Sequence, residues 1–129
     1  MAKVKLLAFL LCESATRDSD GKVTLHGLFD RIIVPRAQAK PKLFFIYYKV
    51  VVEEPCTVLL RVIDSLGSEV PGNWRDSLVQ IGPVQATWTL TSSLFKQRGP
   101  YVLELRQETE EGEPISLASM LFVVDQEDE

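Results

Sequence analysis

The feature that most constrains the fold of this chain is an alternation of apolar and polar residues with a period of two. Along Ala86–Ser92, the side chains of Ala86, Trp88 and Leu90 alternate with threonines, and Tyr101–Gln107 repeats the pattern. Successive side chains of a β-strand point to opposite faces, so this period indicates strands with one buried face. The pattern is typical of strands whose apolar side faces a shared core.

Similar segments recur along the whole chain and are separated by residues that favour turns. Turn signals about every 8–12 residues are typical of sandwiches and barrels. The sequence therefore predicts an all-β, two-sheet antiparallel β-sandwich, immunoglobulin-like or a related Greek key, with seven or eight strands. The other predicted strands are Val4–Glu13, Lys22–Val34, Leu43–Val52, Cys56–Asp64, Trp74–Ile81 and Ile115–Val124.

Three local signals refine this prediction. The sequence Gly99-Pro100-Tyr101 resembles the entry to a late strand in immunoglobulin-like sandwiches, where the tyrosine hydroxyl bonds nearby backbone in a tyrosine corner. Gly27 lies inside a strand pattern, which marks a bulge or a close backbone approach. Thr91–Lys96 is compatible with a short helical turn. The tyrosine signal and the unequal loop lengths favour a sandwich over a closed barrel.

Size and composition are those of one globular domain. The chain has 129 residues, of which 46% are hydrophobic and 25% charged. We expect a single β-sandwich domain over residues 1–125 and an acidic tail over residues 126–129. The apolar run Leu6–Cys12 after two lysines imitates a signal peptide, but no small-residue cleavage site follows it, so a retained first strand is the favoured interpretation.

Charge and cysteine content indicate the compartment and the classes of partner. The net charge of −4 argues against nucleic acid and anionic membranes as partners. No run approaches the length of a membrane span. The two cysteines, Cys12 and Cys56, lie in apolar strands without the cysteine–tryptophan–cysteine order of immunoglobulin domains. We expect reduced thiols and a cytoplasmic protein.

The sequence offers little for catalysis. His26 is the only histidine, and a triad needs a base beside Ser or Cys that a carboxylate orients. Asp30 shares the strand parity of His26 but lies about 13 Å along the strand, too far for a direct hydrogen bond. Cys12 could approach His26 if the first two strands pair. One histidine and two separated cysteines do not form a zinc site, and the glycines do not form a phosphate-binding loop. We expect no enzymatic activity and no cofactor.

The sequence is also compatible with two binding functions. Asp18, Asp20, Asp64 and Glu69 lie in predicted loops, where β-sandwiches can hold calcium, although Asp-Ser-Asp-Gly is also favourable hairpin chemistry. The aromatic run of the Leu43–Val52 strand, flanked by lysines, could be a stacking surface for an oligosaccharide. A ligand-binding sandwich, for calcium or carbohydrate, is therefore the alternative hypothesis.

The leading hypothesis is a non-enzymatic module for protein–protein interaction or self-association. Leu43–Val52 is apolar on both faces, so it must be covered on both sides, either within the domain or by a partner. We expect a protein partner or a second copy in a homodimer. The interface residues predicted on this strand are Phe44, Ile46, Tyr48 and Val50.

One segment resembles a known family. Gly21-Lys22-Val23-Thr24-Leu25-His26-Gly27-Leu28-Phe29-Asp30 matches the pattern Gly-Lys-x-x-Leu-x-Gly-Leu-Phe-Asp, and Cys12-Glu13 and Pro41-Lys42-Leu43 accompany it. The chain resembles a family of small bacterial proteins classed as a domain of unknown function. The resemblance implies a stand-alone cytoplasmic β-sandwich, and it implies no activity, cofactor or catalytic residue.

Overall fold

Two β-sheets form the described part of the chain. A computed structural model describes residues 2–28, 31–34, 41–110 and 112–126. The strands are β1 (Val4–Arg17), β2 (Val23–Leu28), β3 (Arg31–Val34), β4 (Leu43–Val52), β5 (Cys56–Ile63), β6 (Glu69–Val70), β7 (Arg75–Leu78), β8 (Gly82–Thr91), β9 (Gly99–Gln107) and β10 (Ile115–Gln126). A 3-10 turn, Ser92–Leu94, lies between β8 and β9 and confirms the predicted helical turn.

The strands divide into a four-stranded sheet, ordered β2-β1-β4-β8, and a six-stranded sheet, ordered β3-β10-β9-β5-β6 with β7 also beside β5. Seven of the described strands have six residues or more, and β3, β6 and β7 are shorter. All described pairs are antiparallel except the parallel pair of β3 and β10. The predicted two-sheet sandwich is confirmed.

The predicted strand Lys22–Val34 is two strands. β2 pairs with β1 in the four-stranded sheet, whereas β3 pairs with β10 in the six-stranded sheet. The chain therefore changes sheets between Leu28 and Arg31, and a single strand cannot belong to both layers. Phe29 and Asp30 lie outside the described residues, as does the irregular loop that the sequence predicts over Pro35–Pro41, except for Pro41.

The core lies between the sheets and follows the period of two. On β5, Val58, Leu60 and Val62 are buried, and on β9 Leu103 and Leu105 are fully buried. Burying a side chain of this size contributes roughly 1.5–3 kcal/mol to folding. The inward positions predicted for β5, β8 and β9 are confirmed, because these residues belong to one continuous hydrophobic core.

Gly27 supports the pairing of β1 and β2. Its φ of 66° lies in the left-handed region, which favours glycine. The register from Cys12–Leu28 to Arg17–Val23 contains no shift, so Gly27 does not form a bulge. A Cβ at this position would lie 2.8 Å from the Glu13 carboxyl group, so the close-approach interpretation is the one confirmed.

Tyr101 forms the predicted tyrosine corner. Its ring is buried in the core, its hydroxyl donates to the Gln97 carbonyl oxygen at 2.9 Å, and the Gln97 N–H donates to the same hydroxyl at 3.2 Å. Phe95 and Phe122 contact the ring, with centroids 5.2 and 5.5 Å away. These contacts attach the connection between β8 and β9 to the hydrophobic core.

Two side chains bond the backbone of β8, the strand at one edge of the four-stranded sheet. The Trp74 indole N–H donates to the Thr89 carbonyl oxygen at 3.0 Å, and the Arg17 guanidinium donates to the Gln85 carbonyl oxygen at 3.2 Å. These bonds occupy backbone acceptors on a strand that pairs only with β4 among the described strands.

Tyr101→Phe tests the tyrosine corner. We expect the substitution to lower the free energy of unfolding by about 1–2 kcal/mol, since two hydrogen bonds to the Gln97 backbone are lost at the edge of the core. Urea unfolding followed by tryptophan fluorescence measures the change. Tyr47→Phe is the control, because its hydroxyl bonds a side chain, Gln85, that water can satisfy after the substitution. Equal stability of Tyr101→Phe and wild type would contradict the assignment.

Candidate functional site

The four interface residues predicted on β4 lie in the core. Phe44 is 7% exposed, and Ile46, Tyr48 and Val50 are fully buried. They point toward the six-stranded sheet and belong to the main hydrophobic core. Their prediction as interface residues is therefore wrong, because the domain itself buries them. In a strand with two apolar faces, the sequence does not indicate which face the domain covers.

Tyr48 connects the two sheets through a polar contact. Its hydroxyl donates to an Asp76 carboxylate oxygen of β7 at 2.5 Å, and its ring lies 4.7 Å from that of Trp88. Burial, and then the hydrogen bond to Asp76, raise the pKa of Tyr48 above its ordinary value of 10.0. The contact stabilises the neutral tyrosine and aligns β7 with β4.

The opposite face of β4 is covered by the turn between β1 and β2. Tyr47 is 8% exposed, and its hydroxyl donates to the Gln85 side-chain oxygen at 2.7 Å. The Gln85 amide then donates to the Gly21 carbonyl oxygen at 2.9 Å. Part of the apolar run is thus covered within the domain, and the Tyr47 ring does not form an open stacking platform for a sugar.

The cysteine and histidine considered for catalysis have separate environments. Cys12 is fully buried, and its thiol donates to the Phe45 carbonyl oxygen at 3.6 Å. Burial raises the pKa of the Cys12 thiol, which is the opposite of what activates a cysteine nucleophile. His26 is exposed and pairs in register with Ser14, whereas Cys12 pairs with Leu28. Both Cys12 and Cys56 are free thiols.

The carboxylates considered for calcium lie in two separate parts of the fold. Asp18 accepts the N–H groups of Asp20 and Lys22, both at 2.9 Å, so it organises the hairpin turn. Asp64 and Glu69 lie together in a cleft at the end of β5. In the part of the chain that the structure describes, no three His, Cys, Asp or Glu residues come close enough to hold a metal ion.

A row of apolar side chains crosses the side of the six-stranded sheet that faces away from the core. Leu121 of β10 lies opposite Val102 of β9, and Val102 lies opposite Ile63 of β5. All three have the strand parity opposite to that of buried neighbours, so they point away from the core. Leu121 is 62% exposed. Outward positions of a solvated antiparallel sheet are usually polar, so this row is a candidate contact surface.

A charged row lies directly beside the apolar row. The Arg61 guanidinium donates to a Glu104 carboxylate oxygen at 2.9 and 3.1 Å, and the Arg106 side chain lies 3.4 Å from the same oxygen. The side chains of Glu104 and Arg106 are only 17% and 16% exposed. The two rows together, defined by Ile63, Val102, Leu121, Arg61 and Glu104, are called the outer face below.

Sequence reasoning missed the outer face. Its residues lie on three strands, and only the register of β5, β9 and β10 aligns them. The available signal was Val102, an apolar residue at an outward position of the alternating Tyr101–Gln107 segment. A single outward valine does not indicate a surface without knowledge of its neighbours.

Comparisons with known proteins support the fold. No family model matches the chain, and no curated protein matches its sequence. The crystal structure of the C-terminal domain of Wzt is similar, with a TM-score of 0.51 and 11% identity, over 100% of this chain and 76% of that one. A CARDB domain from Pyrococcus furiosus, in complex with di-metal ions, has a TM-score of 0.43 and 17% identity, over 92% and 87% of the two chains. The similarity to the Wzt domain is one of fold, and it agrees with the two-sheet β-sandwich described above.

The described residues include no helix with the length and hydropathy needed to cross a bilayer.

Tyr48→Phe tests the contact between the sheets. At about pH 8 we expect the free energy of unfolding to fall by about 1–3 kcal/mol, because Asp76 loses its donor. Since the pKa of Tyr48 is raised in the folded state, its stabilising contribution is complete below pH 10 and declines above it, by up to about 1.4 kcal/mol per pH unit. Phenylalanine has no such proton, so the difference from wild type should narrow at about pH 11.

Urea unfolding of wild type and variant at the two pH values measures this narrowing. The control is Phe122→Leu, a core substitution that alters packing and removes no ionisable group, so its difference from wild type should stay constant. A Tyr48→Phe difference that is independent of pH would contradict the coupling between the Tyr48 proton and folding.

Proposed function

We propose that this protein is a non-enzymatic interaction module that associates with a second copy of itself through the outer face. The observation that carries the proposal is the apolar row of Ile63, Val102 and Leu121, aligned across three adjacent strands. The coarser conclusion, an immunoglobulin-like β-sandwich, agrees with binding and interaction roles but selects none of them.

The composition of the outer face is that of a contact surface. Interfaces combine an apolar centre with a polar rim, and arginine is enriched in them. Here the row from Ile63 to Leu121 would supply the apolar centre, and Arg61 and Glu104 lie along its side. Arg61 and Glu104 are already bonded to each other, so little side-chain freedom remains to be lost on association.

A second copy is the partner that this face fits best. Most soluble oligomers are homo-oligomers, and a two-fold dimer requires one patch that is complementary to itself. An apolar row meets this requirement because it can pack against the same row of another copy. The adjacent row carries both signs of charge, so two copies can be arranged without opposing like charges.

We further propose that the protein has no catalytic activity and that it is cytoplasmic. The raised pKa of both thiols and the separate positions of Cys12 and His26 support a non-enzymatic role. The free thiols of Cys12 and Cys56 support a cytoplasmic location, where cysteines remain reduced. The cytoplasmic location is tested by detecting the native protein in fractionated cells.

Leu121→Asp tests the proposed dimer. We expect wild type to elute as a dimer in size-exclusion chromatography with light scattering, and Leu121→Asp to elute as a monomer. Leu121 is 62% exposed, so an aspartate there can be solvated in the monomer and the melting temperature of the monomeric domain should change little.

The matched control is Leu66→Asp, which replaces another exposed leucine, 74% exposed, in the loop after β5. This variant should remain a dimer. A wild type that is monomeric across the accessible concentration range, or a Leu121→Asp variant that is still dimeric, would reject the outer face as the self-association surface.

A further inference from the structure

A cleft of about 360 Å³ opens at one end of the sandwich, between the loop that follows β5 and the 3-10 turn that follows β8. Its volume is within the range of small-molecule sites, roughly 300–1,000 Å³. None of the residues that line it belongs to the outer face. The lining residues are Asp64, Glu69, Val70, Pro71, Ser93, Leu94, Lys96, Gln97 and Tyr101.

The wall formed by the 3-10 turn and the residues after it is held in place by the core. Phe95 is 1% exposed and contacts the rings of Tyr101 and Phe122 edge to face, with centroids 5.2 and 5.3 Å away. The Tyr101 hydroxyl bonds both backbone groups of Gln97. Lys96 lies between these two fixed residues, so its backbone position is set before any ligand binds.

The opposite wall is held by Asp64. One oxygen of its carboxylate accepts the N–H groups of Leu66 and Ser68, both at 2.9 Å, and its own N–H donates to the Ser68 carbonyl oxygen at 2.8 Å. The Ser65 hydroxyl donates to the Arg98 carbonyl oxygen at 3.3 Å, which connects the two walls behind the cleft. The cleft is therefore preformed, which lowers the entropic cost of binding.

The charges of the cleft are separated between its walls. Asp64 and Glu69 belong to the β5–β6 side, and Lys96 belongs to the side of the 3-10 turn. Within the described residues, no ion pair or hydrogen bond engages the Glu69 carboxylate or the Lys96 ammonium group. Val70 and Leu94 are partly buried apolar residues of the same lining.

We propose that this cleft binds a small zwitterion with an aliphatic body, of the class of free amino acids and dipeptides. The ligand ammonium group would lie at Asp64 and Glu69, and its carboxylate at Lys96 and the side-chain amide of Gln97. Its aliphatic part would lie against Val70 and Leu94. Charge-assisted hydrogen bonds at both ends give the ligand one orientation. The site binds without chemical change of the ligand.

The lining disfavours the other small ligands. Among the described residues, two carboxylates line the cleft, and the positive charge of Lys96 in the same lining disfavours a calcium ion. The aromatic ring of the lining belongs to Tyr101, which is 1% exposed and cannot stack on a sugar. A ligand with one positive and one negative group matches the residues that are present.

The experiment is a titration of the full chain with alanyl-leucine, followed by NMR shifts of backbone amides. We expect saturable shifts at Glu69, Leu94 and Lys96. N-acetylation of the dipeptide removes the ammonium charge and amidation removes the carboxylate, and each change should weaken binding about tenfold, the effect of losing one charged hydrogen bond.

Two cleft variants assign the two ends of the ligand. Glu69→Gln should weaken the binding of alanyl-leucine and reduce the difference in affinity between alanyl-leucine and its N-acetylated form. Lys96→Met should also weaken the binding of alanyl-leucine, and it should reduce the difference in affinity between alanyl-leucine and its amidated form. Glu53→Gln and Lys5→Met are the controls, because both residues are exposed and lie outside the cleft. They should bind alanyl-leucine as wild type does.

Three results would overturn the proposal: no saturable shift with alanyl-leucine, shifts at residues outside the cleft, or equal affinity for alanyl-leucine, its blocked forms and glucose. The oligomeric state is measured separately, so a monomeric wild type would reject the dimer without affecting this titration. A failed titration likewise leaves the dimer test intact.

Discussion

β4 is the strand on which the packing of the sandwich depends. It pairs with β1 on one side and β8 on the other, so it lies inside the four-stranded sheet. Its inward side chains, among them Ile46, Tyr48 and Val50, are fully buried against the six-stranded sheet. Tyr48 also bonds Asp76 across the interior, and Tyr47 anchors the β1–β2 turn through Gln85 on the other face. Both faces of one strand thereby fix the positions of their neighbours.

The period of two predicted what depends on local sequence. The inward residues of β5, β8 and β9 follow from alternation alone, and the tyrosine corner follows from Gly99-Pro100-Tyr101, because the hydroxyl bonds a residue only four positions away. Contacts between distant segments were not predictable in this way. Tyr48 and Asp76 are 28 positions apart and meet only because β4 and β7 lie in facing sheets. The parallel pairing of β3 with β10 likewise depends on where the chain changes layers.

The outer face and the cleft likewise depend on contacts between distant segments that local sequence does not predict. The outer face exists because register aligns Leu121, Val102 and Ile63, which are far apart in sequence. The cleft combines residues near the end of β5 with residues after β8, and Phe95 fixes one wall by packing in the core. Asp64 and Glu69 were recognised in the sequence as loop carboxylates, but Lys96 across from them changes the ligand chemistry from a metal ion to a zwitterion. The sequence was sufficient to recognise individual residues, but not to predict which of them the fold brings together.

The bonds that Trp74 and Arg17 make to the β8 backbone have a consequence for how copies of this protein can assemble. Unpaired strand edges recruit further strands and can lead to open-ended polymers. Side chains that occupy the Thr89 and Gln85 carbonyl oxygens disfavour such recruitment at this edge. Contact between sheet faces, in contrast, is complete after two copies have met. Side chains therefore protect the β8 edge, whereas the proposed dimer would use a sheet face, a geometry that favours a closed pair of copies over an open-ended polymer.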